Sequence, residues 1–325
     1  MKTLAIAAGA VIGALALTAS SASAQDWPDE GPITIVVPFN PGAGNDLLGR
    51  MTAEYLTGTL GQQVVVENVP GGGSAIGLDR VVNADPDGYE LLWSPSDGMS
   101  ILPAVRPNVP YTVPDDFAFL ARIVQLPFVV AVHPDVPADS IEELIAHSEE
   151  NPGRVRYGSS GVGGAPHMGT VLFGSVTGVD QVHVPYSGIS VALADLIGGN
   201  IEVLWLTPPT AFPHHDAGTI RVIAQTGTER HPLYPDTPTL LESDVDMTLG
   251  VFYGMMAPKD TPEAILERLR DEIEAMVEDE SIQARLNELG YVPAYLRGDD
   301  FEALVVEELE QWRTIAEAED IRLED

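Results

Sequence analysis

The stretch Ile33-Thr34-Ile35-Val36-Val37-Pro38-Phe39-Asn40-Pro41-Gly42-Ala43-Gly44-Asn45-Asp46 decides the fold: a β-branched run, a glycine loop, then two residues able to cap a helix. The predicted helix carries Leu47, Met51, Tyr55 and Leu56 and ends near Gly61. Strand, loop and helix then recur. Val64 to Val66 reads as a second strand, Gly71-Gly72-Gly73 leads into a helix from Ala75 to Asn83, and Leu91 to Trp93 is a third strand. This alternation is the pattern of an α/β domain with a largely parallel sheet.

A second series follows a strand at Phe119 to Ile123. It comprises strand Phe128 to Val132, helix Ile141 to Glu149, strand Val155 to Tyr157, helix His167 to Thr177 and strand Gln181 to Val184. Ser190 is then expected to cap a helix ending at Gly198-Gly199, before strands Glu202 to Leu206 and Arg221 to Thr226. Near Phe252 to Ala257 comes one more strand. Thr261-Pro262-Glu263 opens a helix with Thr261 as its expected N-cap and an apolar stripe of Ile265, Leu269, Ile273 and Met276. A last helix, Asp300 to Ala318, is expected to bury Phe301, Leu304, Val305, Leu309 and Trp312. Because the final third supplies helices suited to covering the first sheet, two chain crossings are expected, near Ile123 to Leu126 and near Thr248 to Phe252. That gives lobe I as residues 25–124 and 250–325, lobe II as 125–249, and a hinged cleft between them lined by loops at strand C-termini.

The N-terminus carries Lys2, an apolar run from Leu4 to Leu17, and Ala22-Ser23-Ala24. This reads as a signal peptide, residues 1–24, cleaved after Ala24. The apolar run, interrupted by Gly9 and Gly13, falls short of the ~20 residues that span a bilayer. Export is therefore expected, with roughly 300 residues left to form two domains at about 150 each. The chain has no cysteine, which excludes thiol chemistry and cysteine-ligated metals.

Charge narrows the partners. Asp and Glu number 49 against 16 Lys and Arg, for a formal net charge of −33, and nucleic acid is excluded as a partner by that field. Such a surface repels itself and is relieved when salt shortens the Debye length, so a halophilic or marine source is expected.

Three loops have the same construction, strand before and helix after. The first spans Phe39, Asn40, Gly42, Ala43, Gly44, Asn45 and Asp46. Its glycines let backbone amides approach an anion, and the helix N-terminus adds unpaired N–H groups. It lacks the third glycine of a dinucleotide fingerprint, Leu47 standing in that place. The Asp46 side chain reads first as a helix cap. The second loop runs from Tyr157 to His167 and offers Ser159, Ser160, Gly163, Ala165 and His167. The third offers Tyr186, Ser187, Gly188 and Ser190, with Ser190 equally readable as an N-cap. Ser94 and Ser96, ending the third strand, would add hydroxyl donors from the first lobe. Opposed across a cleft, these loops would hold both ends of a small dianion without basic side chains.

The enzymatic alternative is an exported α/β hydrolase with Ser160 as nucleophile and His167 as base, although Gly-x-Ser-x-Gly is absent because Val162 occupies the second glycine's place. His167 is equally readable as a first-turn residue bonding its own loop. A third reading, a ligand-presenting protein for a membrane sensor, shares every feature above. No metal or other cofactor is expected, since the adjacent His214 and His215 diverge and complete no ligand spacing.

The order of motifs resembles the substrate-binding proteins of tripartite tricarboxylate transporters, the Bug-type family. The resemblance rests on Ile35-Val36-Val37-Pro38-Phe39 with its glycine loop and Asp46, Leu60-Gly61-Gln62 before Val64-Val65-Val66-Glu67-Asn68, and Asp85-Pro86-Asp87-Gly88-Tyr89. Val182-His183-Val184-Pro185-Tyr186, Asp195-Leu196-Ile197-Gly198-Gly199 and Pro235-Asp236-Thr237-Pro238-Thr239 extend it across the mature chain. The resemblance implies a type II periplasmic binding fold, no catalysis, and a small carboxylate held by loop amides, hydroxyls and bridging waters. It also implies a large and a small integral membrane subunit as partners; the chain itself is expected to be a monomer. Ser187 stands where the family commonly has lysine, and Gly42-Ala43-Gly44-Asn45 replaces its run of glycines and threonine. Trp205-Leu206 replaces a common phenylalanine-aspartate, placing Leu206 at the site and favouring a di- or tricarboxylate or aromatic acid over an amino acid.

Overall fold

A computed structural model of the chain describes residues 27–42, 44–319 and 321–322. The expected signal peptide and Ala43 lie outside the described residues. The first lobe begins β1 (Ile33–Val37), α1 (Gly44–Leu60), β2 (Val64–Asn68), α2 (Ala75–Val82), β3 (Glu90–Pro95). One π-helical turn, Asp97–Ile101, runs into α3 (Leu102–Val105), and β4 (Phe117–Pro127) leads out. The second sheet is built by β5 (Val129–Val132), α4 (Ile141–Glu150), β6 (Arg156–Ser159), α5 (Ala165–Thr177), β7 (Val182–Pro185), α6 (Ile189–Ile197), β8 (Val203–Leu206), α7 (Pro208–Asp216) and β9 (Arg221–Gln225). The chain then returns through β10 (Gly250–Pro258), α8 (Glu263–Glu278), α9 (Glu280–Glu288), β11 (Pro293–Arg297) and α10 (Gly298–Ala318).

Sheet 1 has the order β11-β4-β10-β3-β1-β2 and sheet 2 the order β7-β6-β8-β5-β9. Each is mixed: β1 is parallel to β2 and β3, and β6 to β7 and β8, whereas β10 and β5 run antiparallel to their neighbours. The side-chain period of two sorts residues to faces. Ile33, Ile35, Val37, Trp93, Val130 and Trp205 join one core cluster that includes residues of both sheets. Val36, Leu92, Phe119 and Phe252 face the other way, onto Phe301 of α10, whose ring meets Phe119 and Phe252 edge-on at 5.4 and 5.3 Å. Burying such a ring stabilises the fold by about 1.5–3 kcal/mol. Gly254 makes the room, since a Cβ there would collide with Phe301.

Several expectations need correcting. Leu47 is exposed and the buried stripe of α1 is Leu48, Met51 and Leu56. Pro262, not Thr261, is the N-cap of α8, because the Thr261 hydroxyl donates to the Pro258 carbonyl at 2.7 Å. Ser190 does not cap α6; Gly188 holds that position and Ser190 is exposed in the first turn. The short α7, α9 and β11 had no counterpart in the sequence reading.

Both crossings between sheets lie side by side, since Pro127 pairs with Gly250 and Leu126 with Val251. Thr226 fastens them. Its hydroxyl accepts from the Phe128 amide at 2.7 Å and lies 2.5 Å from the Leu249 carbonyl, while its own carbonyl accepts from the Leu249 amide at 2.9 Å. Thr226→Val keeps the shape and orphans buried backbone groups, at about 1–3 kcal/mol. A melting temperature lower by roughly 3–10 °C is expected in a thermal melt.

Candidate functional site

The first loop emerges from the C-terminal end of β1. Gly42 adopts φ +91°, a backbone shape suited to glycine. Its amide donates to Asp46 Oδ2 at 3.0 Å, and Arg50 reaches the same oxygen at 3.0 Å and Oδ1 at 2.8 Å. Burial raises the Asp46 pKa, but the bonds from Arg50, Gly42 and Asn68 outweigh it and hold the carboxyl below its usual range. Neither Asn45 nor Asp46 is the expected N-cap, since α1 begins at Gly44; the Asp46 side chain instead closes the loop onto Gly42 and pairs with Arg50. Phe39 is half-buried and its carbonyl accepts from Asn68 at 3.0 Å, Asn40 is exposed, and Asn45 Oδ1 is buried with no hydrogen-bond partner among the described residues. Gly44 lies against Tyr291, whose hydroxyl stands where a Cβ would go.

In the second loop, Ser159 Oγ is 2.7 Å from His183 Nε2 and bonds both the carbonyl (2.9 Å) and the amide (3.1 Å) of Gly161. The Gly163 amide donates to His167 Nδ1 at 3.0 Å, so the residue-to-own-loop reading of His167 holds. The pairing of Ser160 with His167 required by the hydrolase alternative is not made through Nδ1. Tyr157, His183 and His167 instead form a stack, the two imidazoles 4.0 Å apart. Burial pushes both histidines down to about 4, with the neighbouring His167 charge adding to the shift of His183.

Those shifts carry a pH dependence. Between about 4 and 6.5 the unfolded histidines take up protons that the folded ones refuse, so stability is present above 6.5 and lost as pH falls toward 4, by about 3 kcal/mol apiece. Glu308 of α10 opposes them, since burial raises its carboxyl from 4.5 to about 7 and its contribution is lost as pH rises through that window. Burial also raises the Asp97 carboxyl, which sides with Glu308, and lowers His231, which sides with the other histidines, so three histidines face two acids. Acid melts should show a net loss below pH 6.5, and His167→Gln should flatten that slope by about half or more.

The third loop is closed on itself. Tyr186 Oη donates to Asp195 at 2.7 Å and its amide to the Ser159 carbonyl at 3.2 Å, leaving Ser187 exposed and Gly188 half-buried beside the second loop. At the end of β3, the Ser94 hydroxyl donates to the Pro95 carbonyl at 3.0 Å, whereas Ser96 Oγ is buried with no hydrogen-bond partner among the described residues. Leu206, by its parity in β8, has its side chain wholly in the sheet 2 core, so only its backbone is available to a cleft.

Three residues near the site escaped the sequence reading. Asp97, directly after Ser96, reaches across from sheet 1 to accept the Ala165 amide at the start of α5, at 3.1 Å. Tyr253 of β10 and Tyr291 stand edge-on at 6.4 Å, with Tyr291 also against Gly44. Burial raises the pKa of both phenols, that of Tyr291 to about 12, so they are neutral hydrogen-bond donors. The signal for Asp97 was its place: an acid directly past a buried strand end, at the switch between elements. Opposite it, a Cβ on Gly164 would lie 2.9 Å from Ser160 Oγ and 3.6 Å from Asp97 Oδ1, which brings Ser160, Asp97 and the α5 N-terminus to one point. Among the described residues no group of three or more His, Asp or Glu could hold a metal.

A sequence profile described as "Tripartite tricarboxylate transporter family receptor" matches residues 48–321. The chain belongs to this family. The receptor is 30% identical over 308 residues to BugT of Bordetella pertussis, covering 93% of this chain and 94% of that one. Among solved structures it is similar to R. palustris Rpa4515 with adipate, at 29% identity and a TM-score of 0.86, covering 91% of this chain and 99% of that one. It is also similar to MatC of Rhodopseudomonas palustris with bound malate, at 26% identity and a TM-score of 0.79, covering 88% and 99%. The fold is thus that of a periplasmic binding protein of the two-lobed type, and the role is solute binding. The receptor's family and structural neighbours are solute-binding proteins, not enzymes.

Proposed function

We propose that the receptor captures a small organic carboxylate, a di- or tricarboxylate or an aromatic acid, in the periplasm and delivers it to the large and small membrane subunits of a tripartite transporter. One observation carries this reading: glycine loops in both sheets join strand ends to helix N-termini, and Asp97, at the end of β3 in sheet 1, meets the Ala165 amide and the Ser160–Gly164 loop of sheet 2. Such amides, hydroxyls and neutral phenols bind carboxylates without a cationic side chain. Adipate and malate in related structures support the same class. The reading includes lobes of 25–124 with 250–325 and of 125–249, export by a signal peptide cleaved after Ala24, and a monomer.

A melting screen with adipate, malate, citrate and benzoate tests it. At a hundred times its Kd a ligand stabilises by about 2.7 kcal/mol, and at least one acid is expected to raise the melting temperature and be recovered unchanged. Conversion of that acid, or no shift with any carboxylate alongside a shift with a neutral or cationic solute, would defeat the proposal.

A further inference from the structure

Ser100 belongs to the π-helical turn that follows Ser96, and its hydroxyl meets two oxygens at once. Ser100 Oγ lies 3.0 Å from the Ser96 carbonyl oxygen and 2.8 Å from Glu308 Oε2 of α10, 208 positions along the chain. A hydroxyl carries a single proton. A carbonyl can only accept, and so can an ionised carboxylate, so Ser100 cannot serve both oxygens while Glu308 is charged. The two bonds form together when Glu308 is protonated: its O–H donates to Ser100 Oγ, and the Ser100 hydroxyl is left to donate to Ser96. The surroundings agree with that count. Among the described residues no cationic side chain bonds Glu308, since the guanidinium of Arg122 on β4 is engaged by the Ala294 carbonyl at 2.8 Å and by Gln125 at 2.5 Å. Burial is the largest influence on the Glu308 carboxyl and raises it to about 7, with Asp97 of the turn and Glu307 of α10 pushing the same way and Arg122 and the Ser100 bond opposing. Tyr253 of β10, which faces Asp97, has its phenol raised by burial and stays neutral.

We propose that Glu308 is a positioning residue for ligand binding: through its O–H it completes a relay, Glu308 to Ser100 to the Ser96 carbonyl, that fixes the π-helical turn presenting Ser96 and Asp97 to the second lobe. Asp97 is the residue of that turn that meets the Ala165 amide, at 3.1 Å. When Glu308 loses its proton, the Ser100 hydroxyl turns to the new charge and the Ser96 carbonyl loses it. The turn keeps Tyr111 Oη on the Gly98 carbonyl, at 2.7 Å, but not its hold on Ser96. A ligand seated against the turn is then bound more weakly, and an anionic ligand itself favours the protonated Glu308, so both effects make affinity fall as pH rises through neutrality. By linkage, binding takes up a proton. The binding part rests on the carboxylate reading above; the relay does not.

The experiment compares wild-type with Glu308→Gln, whose side-chain N–H donates to Ser100 at every pH. Calorimetry with adipate from about pH 6 to about pH 8.5 is expected to show wild-type affinity falling about five- to tenfold, the worth of one hydrogen bond, and the variant level at the wild-type's low-pH affinity. Hydrogen exchange of the unliganded protein, read on the peptide spanning Asp97 to Ile101 as the ratio of wild-type to variant rates, is expected to rise from about one to about fivefold over the same range. A step of equal size in both proteins overturns the proposal, since Asp97 or the ligand would then be the titrating group, and a flat exchange ratio overturns it too. If adipate binds neither protein while the exchange ratio rises, the relay stands and the carboxylate reading fails for adipate. Should Glu308→Gln not fold, Ser100→Ala takes its place in both arms: cutting the relay is expected to lower adipate affinity about five- to tenfold at pH 6, to speed exchange of the turn and to remove both pH steps. Steps that survive in Ser100→Ala overturn the proposal.

Discussion

Gly44→Val is expected to lose at least about a hundredfold in affinity for the acid that best stabilises the receptor, while the chain remains folded. The Gly44 backbone is not in the left-handed region, so the requirement for glycine comes from its neighbour: the Tyr291 hydroxyl occupies the place of a Cβ. Tyr291 is buried and cannot swing freely, so a side chain at position 44 pushes the loop away from β1 and misaims its amides. Two charge-assisted hydrogen bonds lost together account for about 3–6 kcal/mol, a hundredfold or more. The fold tolerates the change because Gly44 lies at the rim of the core, where overpacking costs about 1–3 kcal/mol. Isothermal titration and a parallel melt separate the two effects. Gly44→Val combined with Tyr291→Phe, which clears the colliding oxygen, is expected to lose less than the two single variants together, a coupling that independent sites would not show.

Raising salt from about 0.05 M to 2 M is expected to lift the melting temperature by roughly 10 °C or more. Two effects oppose each other. Salt weakens surface ion pairs, each of which is worth about 0–1 kcal/mol, and it screens the self-repulsion of a net charge of −33. The scarce arginines are already shared: Arg297 lies 2.8 Å from each of Glu267, Asp271 and Glu274, and Arg270 within 2.7 Å of Glu263 and Glu267. The uncompensated acids outnumber these pairs, so screening wins. A melting temperature that is flat or falls with salt would show that the acidity serves solubility alone.

The alternation of strand and helix was legible because β1, β5 and β8 are short apolar runs bounded by glycine or proline, and because the stripe Ile265, Leu269, Ile273 and Met276 has helical spacing. All four of those residues are buried. What escaped was set by tertiary context. The turn of α7 contains Pro213 and carries little amphipathic pattern, and α9 is separated from α8 only by Asp279, whose carboxylate accepts the Ser281 and Ile282 amides. Caps failed where a nearby carbonyl competed, as Pro258 does for Thr261. At the site, the three loops could be read from their glycines, but which donors remain free could not. His183 lies 24 residues from Ser159 and Asp97 lies 68 from Ala165, and it is these distant partners that occupy Ser159 and Ala165.

The most direct test is a crystal structure of the receptor with the acid that gives the largest melting shift. One ligand carboxylate is expected within hydrogen-bond distance of the Phe39 to Asp46 loop or the Tyr291 hydroxyl, and the other at Ser160 and the Ala165 amide, with the acid chemically intact. A ligand seated outside the cleft, or held by arginine side chains with both glycine loops untouched, would contradict the account.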